Sequence, residues 1–427
     1  MRYVIIGNSA SGIAAVEGIR EIDKEGGIVI ISGESHFNYS RPLISYYLGK
    51  KIDFASLSYR GKEFYKKNGV ELLLNSIAEK ISINKKQVIL SDGKRISFDK
   101  LLIATGGTPI IPEIKGGKAA GVFTFITLSD ALKIEKHIEH SKVKNAIIIG
   151  GGLIGLKAAE ALMELKIKTS IVELADRVLS NALDKTASGI IENILKKSEC
   201  QLIANNTVVE LKSKNNKVSE AVLKDGQKIP ADLVILAIGV RPNLELVKNS
   251  VIKSKKGILV DSHMRTSAKD IYASGDCGEA GNQVLAIWPE AVKQGKIAGF
   301  NMALRQGSGQ AGARKEYKGG FLMNSVELCG VPIISVGESS GEGKPGKSLV
   351  YYDEKKPIYK KIVLENGRIK GALFVGKIDR AGIYTGLIKD KIDTTDFKDN
   401  LLKEDFGLIN LPKEYRKHLV KGGTPII

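Results

Sequence analysis

Residues 145–177 constrain the fold of this chain more than any other stretch. They read NAIIIGGGLIGLKAAEALMELKIKTSIVELADR. The apolar run 146–149 predicts a buried parallel strand, residues 156–166 predict a helix, and a second apolar run ends at Glu173. A strand, a glycine turn, a helix and a second strand in this order form a βαβ unit. The stretch therefore predicts a Rossmann-like α/β domain with a parallel sheet.

The three glycines of this turn, Gly150, Gly152 and Gly155, have the spacing of a dinucleotide-binding fingerprint. The first permits a tight turn, the second lets the backbone approach a pyrophosphate, and the third lets the helix pack against the strand. The free N–H groups and the positive dipole end of the helix start stabilise phosphate charge. Glu173 suits a ribose 2′-hydroxyl and repels a 2′-phosphate, so the sequence predicts NAD(H) in preference to NADP(H).

A second unit of the same kind occupies the N-terminus. Its turn reads GNSASG, with Gly7 and Gly12 in the expected places and Ser9 where the second glycine belongs. The serine adds a side chain at the closest approach to a pyrophosphate, although its hydroxyl can donate to a phosphate oxygen. Glu34, displaced two residues beyond the expected strand end, is the candidate for an adenosine ribose. The predicted elements of this unit are a strand at 3–7, a helix at 13–22 and a strand at 28–31.

Two apolar strands end in the same way, with glycine followed by proline. LLIATGGTPIIP contains Thr105 and Gly106, and ADLVILAIGVRPN contains Gly239. Because proline cannot donate to a sheet ladder, we expect the chain to leave the sheet at both places. The two βαβ units and the two exits together indicate an internal duplication. The predicted domains are 1–112 with 245–316, then 113–244, and then 317–427.

The C-terminal part differs in pattern from the rest. Alternating strands surround Asn366-Gly367, a strong hairpin signal, and an amphipathic helix is predicted at 381–392. We interpret 317–427 as a separate α+β domain without a catalytic motif. The segment 306–316 (QGSGQAGARKE) is predicted to be a flexible linker. The tail FGLINLPKEYRKHLVKGGTPII is either a docking segment or a frayed terminus.

Composition limits the classes of function. The chain has 427 residues, three cysteines and a formal net charge of +18. It has no apolar run long enough to span a membrane, no metal-binding cluster and no Cys-x-x-Cys pair, so we expect a cytoplasmic protein without disulfides or a metal site. The lysines are scattered and accompany no nucleic-acid motif, which argues against nucleic-acid binding. A basic surface also attracts acidic protein partners, and small electron carriers are often acidic.

With two dinucleotide units, the ATGGTP and IGVRPN exits and the ASGDC element in this order, the chain resembles the pyridine nucleotide–disulfide oxidoreductase superfamily. The resemblance covers nearly the whole chain. It implies FAD in the first Rossmann-like domain, NAD(P)H in a second domain inserted into the first, and a C-terminal interface domain. It further implies that Gly275 and Asp276 hold the FAD ribityl chain. The helix containing Gln294 would then point its N-terminus at the flavin. From the sequence itself, Trp288 at the start of this helix either faces a ring or packs in the core.

Within the superfamily, YSRPLISYYLGK and IWPEAVKQGKIAGFNMA look like rubredoxin reductases. They look equally like the FAD-binding part of NADH–nitrite reductase and the flavin subunits of iron–sulfur oxidoreductases. From its pattern alone, the helix that begins at Arg41-Pro42 could merely cover the sheet. Residues 39–43 contain no cysteine, which excludes a redox thiol there. Cys277 is expected to be packing, and Cys200 and Cys329 have no evident partner.

One departure concerns the predicted NAD helix. Many relatives carry a glutamate where this chain has Lys157, and a cation cannot accept a hydrogen bond from the nicotinamide carboxamide. Either Glu160 takes that role, or Lys157 points away and backbone groups hold the nicotinamide.

The resulting hypothesis is a FAD-dependent NADH:acceptor oxidoreductase. Its acceptor would be an iron–sulfur or rubredoxin- or ferredoxin-type protein, and the chain could be the flavin subunit of a larger redox complex. Arg41 is the candidate for a cation near the flavin, and no other catalytic residue is predicted. Two alternatives remain open: a peroxide-forming NADH oxidase, and a basic flavoprotein that senses NADH and binds partners.

Overall fold

A computed structural model describes residues 1–304, 314–340 and 347–412. The predicted linker therefore lies mostly outside the described residues, and so does most of the C-terminal tail. Within the described ranges the chain forms eight α-helices and twenty-five strands.

The elements before the second unit include one βαβ unit and several short strands. In chain order they are β1 (Arg2–Ile6), α1 (Ala10–Ile22), β2 (Gly27–Ile31), α2 (Ile44–Leu48), α3 (Glu63–Lys67), β3 (Val70–Leu73), β4 (Ala78–Ser82), β5 (Gln87–Leu90), β6 (Arg95–Ser97), β7 (Lys100–Ile103) and β8 (Gly107–Pro109).

The second unit has the same kind of content. Its elements are β9 (Val122–Thr124), α4 (Leu128–Ser141), β10 (Asn145–Ile149), α5 (Leu153–Glu164), β11 (Lys168–Val172), α6 (Lys185–Lys197), β12 (Gln201–Ile203), β13 (Val208–Lys214), β14 (Lys217–Leu223), β15 (Lys228–Pro230), β16 (Leu233–Leu236) and β17 (Val240–Pro242).

The chain then returns to the first sheet and continues into the C-terminal part. These elements are β18 (Ile258–Val260), β19 (Ile271–Ala273), β20 (Gly278–Ala280), α7 (Trp288–Ala303), β21 (Met323–Leu328), β22 (Val331–Gly337), β23 (Lys347–Asp353), β24 (Ile358–Glu365), β25 (Arg368–Val375) and α8 (Ala381–Lys389).

Two five-stranded parallel sheets form the centres of the two dinucleotide units. The first has the order β19-β7-β1-β2-β3 and the second the order β12-β11-β10-β16-β9. Strand β19, which follows the second unit in the chain, pairs in parallel with β7, which precedes it. Each sheet is accompanied by a three-stranded antiparallel sheet, β4-β5-β6 or β13-β14-β15. The predicted fold class is therefore confirmed.

The two exits pair with each other, which the sequence interpretation did not anticipate. Both segments leave their parallel sheets as predicted, but β8 and β17 form a two-stranded antiparallel ribbon in which Pro109 faces Val240 and Pro242 faces Gly107. Proline is tolerated here because each strand of a two-stranded ribbon is an edge strand. The inference from the missing N–H of proline was correct for the parallel sheets but wrong for this ribbon, where both prolines lie in paired strands.

Helix α2 connects the two units. Its last residue is followed by Gly49, where an added Cβ would lie 3.2 Å from the Cα of Ala161 in α5. The hydroxyl of Tyr47 donates to Glu135 of α4 at 2.8 Å, and the ammonium of Lys50 pairs with the same carboxylate. The helix that begins at Arg41 thus packs on the helices of the second unit and does more than cover a sheet.

The C-terminal part is an antiparallel sheet of order β21-β22-β25-β24-β23 with α8 on one face. The predicted hairpin at Asn366-Gly367 is confirmed, because these residues join β24 and β25 with φ values of +50° and +71°. Helix boundaries differ from the prediction. Helix α5 begins at Leu153 and α8 ends at Lys389, because Gly152 already serves as the N-cap of α5 and the apolar pattern alone does not mark a cap.

Helices α1 and α7 cross at backbone contact distance. A Cβ added at Gly299 would lie 2.0 Å from the carbonyl oxygen of Ala15, and one added at Gly295 would lie 2.1 Å from that of Ser11. On the α1 side, a Cβ at Gly18 would lie 2.2 Å from the carbonyl oxygen of Lys296. Only glycine allows this approach, since any side chain would push the helices apart.

We predict opposite effects of alanine at two helix glycines. Gly299→Ala should lower the thermal unfolding midpoint, because overpacking at a tight contact costs about 1–3 kcal/mol. The matched control is Gly189→Ala in α6, where an added Cβ meets no atom within 4 Å. That variant should gain roughly 0.5–1 kcal/mol from better helix propensity. Differential scanning fluorimetry checks both, and equal midpoints would contradict the prediction.

Candidate functional site

The two glycine turns have the same local geometry. Gly7 and Gly150 have φ values of +125° and +111°, in the region that favours glycine. A Cβ added at Gly12 would lie 2.0 Å from the carbonyl oxygen of Gly7, and one at Gly155 would lie 2.0 Å from that of Gly150. Each turn therefore requires glycine at its first and third positions, as the fingerprint predicts.

The middle position of each turn caps the following helix. A Cβ added at Gly152 meets no atom within 4 Å, so the backbone there is open to a ligand. Ser9 is the N-cap of α1 but makes no side-chain capping bond; its hydroxyl accepts a hydrogen bond from Nε of Arg41 at 3.4 Å. Both helix starts retain free N–H groups that suit phosphate oxygens.

Glu34 is held by protein groups in this structure. Its two carboxylate oxygens accept from Nη2 of Arg41 and from the hydroxyl of Tyr39, each at 2.6 Å. The Tyr39 hydroxyl in turn accepts the free N–H of Leu128 at the start of α4 at 2.9 Å. Burial raises the pKa of Tyr39, so it remains a neutral donor. If Glu34 also bonds a ribose as predicted, its carboxylate would have to serve the ribose and the ion pair with Arg41 together.

Arg41 lies at the glycine turn of the first unit. Besides Glu34 and Ser9, its guanidinium contacts the carbonyl oxygen of Ile126 at 3.2 Å. These contacts place the cation beside the turn that is expected to hold the pyrophosphate. Tyr39 and the 126–128 segment were not singled out by sequence reasoning. The only signal for Tyr39 was its position in the YSRP motif. Pro42, the next residue, occupies the first turn of a short 3₁₀ helix that leads into α2.

The start of α7 faces the segment containing Gly275 and Asp276. The backbone N–H of Gly275, with φ of +76°, donates to Oε1 of Gln294 at 2.9 Å. Burial raises the pKa of the Asp276 carboxyl, and the neighbouring Arg41 opposes that rise. No hydrogen bond to this carboxylate occurs among the described residues. A desolvated carboxylate without a donor fits ligand hydroxyls such as those of a ribityl chain.

Trp288 begins α7 and is partly buried. Its ring packs edge-on against the Tyr59 ring, with the two centroids 5.0 Å apart. The guanidinium carbon of Arg60 lies over the same Tyr59 ring, 4.3 Å from its centroid. The structure thus gives the indole a protein partner at the helix start. Whether it also faces a flavin stays a prediction.

The two exit linkers are hydrogen-bonded to one another. The hydroxyl of Thr105 donates to the carbonyl of Asn243 at 2.9 Å, and the N–H of Asn243 donates to the carbonyl of Gly106 at 2.9 Å. Gly239, with φ of +117°, accepts from the N–H of Ile110 at 3.0 Å. These predicted binding residues therefore also fix how the second unit is joined to the first.

Glu173 accepts hydrogen bonds from two backbone N–H groups. They belong to Gly151 in the glycine turn and to Ala175, the latter at 2.7 Å. The carboxylate is therefore fixed at the tip of β11 by neutral donors, with no ion pair among the described residues. This is the position that a ribose hydroxyl contact requires.

Glu160 is not placed as a free nicotinamide acceptor. It is 4% exposed, and its carboxylate accepts from the N–H of Cys329 at 3.0 Å and from the ammonium of Lys157. The ammonium of Lys157 also lies 4.2 Å from the Tyr46 ring centroid and donates to the carbonyl of Glu327 at 3.1 Å. The geometry favours the second of the two alternatives. The Lys157 side chain points away from the glycine turn and toward the C-terminal sheet, and the Glu160 carboxylate bonds to the same sheet.

The cysteines are unpaired thiols. Burial raises the pKa of Cys277, and raises that of Cys200 to about 12, so neither is a ready thiolate. The described residues contain no group of three or more His, Cys, Asp or Glu side chains placed to hold a metal ion. Nor does any described helix have both the length and the apolar character to cross a bilayer.

Residues 1–295 match the family model of pyridine nucleotide-disulphide oxidoreductases. The chain belongs to this family. Residues 323–392 match the model of the rubredoxin NAD+ reductase C-terminal domain. Pyridine nucleotide-disulphide oxidoreductases are FAD-dependent enzymes that use NAD(P)H. The two glycine turns and the carboxylate of Asp276 fit these two cofactors.

Family members with different activities are about equally similar to the chain. A nitrite reductase [NAD(P)H] of Bacillus subtilis (strain 168) is 32% identical over 92% of this chain and 48% of its own length. The NADH-dependent phenylglyoxylate dehydrogenase subunit epsilon of Aromatoleum evansii is 30% identical over 94% of both chains. A solved NADH:rubredoxin oxidoreductase from Clostridium acetobutylicum has a TM-score of 0.75, with 26% identity over 93% of this chain and 97% of its own. The chain thus spans about half of the first relative and nearly all of the other two.

We predict a two-sided effect of Asp276→Ala. Loss of a charged hydrogen-bonding partner should weaken FAD binding by about 10- to 100-fold. The same change should raise the thermal midpoint of the apoprotein, because it removes a desolvated carboxylate that no described residue bonds. Flavin fluorescence titration and apoprotein melting measure the two effects. Asp261→Ala, which removes an exposed ion pair with Arg265, is the control and should leave FAD affinity unchanged.

Proposed function

We propose that this protein is a FAD-dependent oxidoreductase that moves electrons between NADH and an iron–sulfur or rubredoxin-type protein. The observation that carries the proposal is the segment 39–43, which begins the bridge between the two units and contains no cysteine. Without a thiol there, the flavin has no redox-active disulfide beside it to reduce. Its electrons would therefore pass directly to an external acceptor. When bound, FAD accepts a hydride and releases two electrons singly, which suits a one-electron carrier.

The residues of this chain would bind and align the two cofactors. The starts of α1 and α5 would stabilise the pyrophosphates of FAD and NADH, and Arg41 would neutralise phosphate charge at the first turn. Asp276 would accept from ribityl hydroxyls. The contacts of α2 with α4 and α5 would hold the two domains, proposed as 1–112 with 245–316 and 113–244, in a fixed relation. The 317–427 domain would buttress the second unit.

A carrier partner agrees with the charge of the chain. The net charge of +18 would attract an acidic carrier and speed its encounter at low ionic strength. A role as the flavin subunit of a larger redox complex is the second candidate. It is favoured by the match along 94% of both chains with a relative that is itself named a dehydrogenase subunit. We further propose a cytoplasmic location.

The deciding experiment compares reoxidation rates of the NADH-reduced protein. Rubredoxin, a ferredoxin or oxygen is mixed with it anaerobically or aerobically in a stopped-flow instrument. A carrier should react faster than oxygen, and its rate should fall as salt rises because attraction between exposed charges is screened. If oxygen is fastest, the protein is a peroxide-forming oxidase. A reduced state that persists against all of them would support an NADH-sensing role.

We predict that NADH reduces the flavin faster than NADPH. Glu173, which has no ion-pair partner in the described part of the chain, would repel a 2′-phosphate, so Glu173→Gln should narrow the NADH/NADPH ratio of reduction rates by about tenfold. The control Asp176→Asn also removes one negative charge, three residues further along the loop. It should change the NADH/NADPH ratio of reduction rates by no more than about twofold. Anaerobic stopped-flow absorbance measures all three proteins. Faster reduction of the parent by NADPH would contradict the prediction.

A further inference from the structure

Two cysteines from different parts of the chain pack against the same apolar cluster. Cys200 follows the end of α6 in the second unit and is 4% exposed. Cys329 lies in the two-residue turn between β21 and β22 of the C-terminal sheet and is partly buried against the cluster that contains Cys200. The fold therefore brings together two thiols for which the sequence indicates no partner.

Contacts of the β21–β22 turn place the Cys329 thiol beside the end of α6. The backbone N–H of Cys329 donates to Oε1 of Glu160 in α5 at 3.0 Å, which holds the turn against the second unit. Burial raises the pKa of the Cys329 thiol, and a hydrogen bond with the side chain of Ser198 opposes that rise. Ser198 is the C-cap of α6 and precedes Cys200 by two residues. The Cys329 side chain thus reaches the helix end that leads into Cys200.

The two sulfur atoms also interact electrostatically. Burial raises the pKa of Cys200 to about 12, and repulsion from the negative charge of a Cys329 thiolate adds to the rise. Because repulsion between two charges weakens with distance, this effect indicates that the thiols are neighbours. Both thiols are free in this structure. Two neighbouring thiols form a disulfide bond when an oxidant removes two electrons from them.

We propose that Cys200 and Cys329 form an oxidation site, at which hydrogen peroxide links the second unit to the C-terminal sheet through a disulfide bond. Cys329 reacts first, because it is the more exposed of the two thiols and lies near the ammonium groups of Lys51 and Lys157, which favour its thiolate. Cys200 then reacts with the oxidised sulfur of Cys329. The inference does not depend on the proposed electron acceptor.

The reaction balances with one molecule of hydrogen peroxide. The Cys329 thiolate attacks a peroxide oxygen, so that an S–O bond forms, the O–O bond breaks, and the leaving hydroxide takes up the thiol proton as water. The Cys200 thiolate then attacks the sulfenic acid sulfur; the S–S bond forms, the S–O bond breaks, and a second water leaves. Because burial raises the pKa of both thiols, thiolate is scarce and we expect the oxidation to be slow.

The disulfide would fasten a second point of α6 to the C-terminal sheet. The N-cap of this helix, Asp184, already pairs with Lys361 of β24 at 2.8 Å. A bond from Cys200 to the β21–β22 turn holds the other end of the helix against the same sheet. Cross-links that close long loops restrict the unfolded chain. The thermal midpoint should therefore rise by about 5 °C on oxidation and return when dithiothreitol reduces the bond.

The test oxidises the full-length, flavin-loaded protein with hydrogen peroxide in the absence of NADH. Free thiols are then blocked with iodoacetamide, and the protein is digested and mapped by mass spectrometry without reductant. We expect a linked pair of peptides containing Cys200 and Cys329, from protein that still runs as a single chain on a non-reducing gel. Cys277, which is 0% exposed, is the internal control and should be recovered as a free thiol. Recovery of Cys200 and Cys329 as free thiols, or oxidation of Cys329 to sulfinic acid without a link, would overturn the proposal.

Two single variants separate the disulfide from other effects of peroxide. Cys200→Ala keeps the buried site apolar, and Cys329→Ser changes the turn residue; each leaves only one thiol of the pair. Neither variant should show a linked peptide pair or a rise of the thermal midpoint after oxidation, whereas the parent protein should show both. A rise of the same size in either variant would mean that the disulfide does not cause it, and would refute the proposed link.

Discussion

The candidate cofactor site depends on the contact between the backbones of helices α1 and α7. Glycines 18, 295 and 299 let the two helices approach until carbonyl oxygens of one lie where side chains of the other would be. The start of α1 carries the first glycine turn, and the start of α7 lies beside Gly275 and Asp276. The helix start that is proposed to bind phosphate and the carboxylate that is proposed to bind hydroxyls are thereby held at a fixed separation. Without that crossing, each feature would remain, but they would no longer form one elongated site.

A second constraint acts between the two dinucleotide units. Helix α2 is covalently part of the first unit, yet its side chains bond Glu135 and its end packs on Ala161 of the second. The Tyr39 hydroxyl also caps α4, which ties the same segment to a helix start. The buried ion pair between Lys361 and Asp184 then joins the C-terminal sheet to the N-cap of α6. Hydride transfer requires close approach of two rings, and these contacts limit the rotations that would separate them.

Features set by local spacing were predictable, and features set by distant partners were not. The fingerprint glycines, the hairpin at Asn366-Gly367 and the parallel units follow from residues near one another in sequence, so the pattern was sufficient. Arg41 bonds Glu34 from 7 residues away, and the N–H of Cys329 bonds Glu160 from 169 residues away; nothing in either local pattern shows these two contacts. Pairing of Pro109 with Val240 has the same origin. The Gly-x-x-x-Gly spacing of Gly295 and Gly299 is present in the sequence, but the sequence does not show that α1 is the helix that packs on these two glycines.

The two strand-end acids show why nucleotide preference should be read from the second unit. Glu34 is ion-paired with Arg41, so its negative charge is largely cancelled where a ligand would meet it. Among the residues that the structure describes, Glu173 accepts hydrogen bonds from the backbone N–H groups of Gly151 and Ala175 and forms no ion pair, so its position is fixed without its charge being cancelled. Repulsion of a 2′-phosphate needs an uncompensated charge, whereas a hydrogen bond to a hydroxyl needs only an oxygen in place. We therefore propose that Glu34 accepts a ribose without strong discrimination, and that discrimination between NADH and NADPH rests with Glu173.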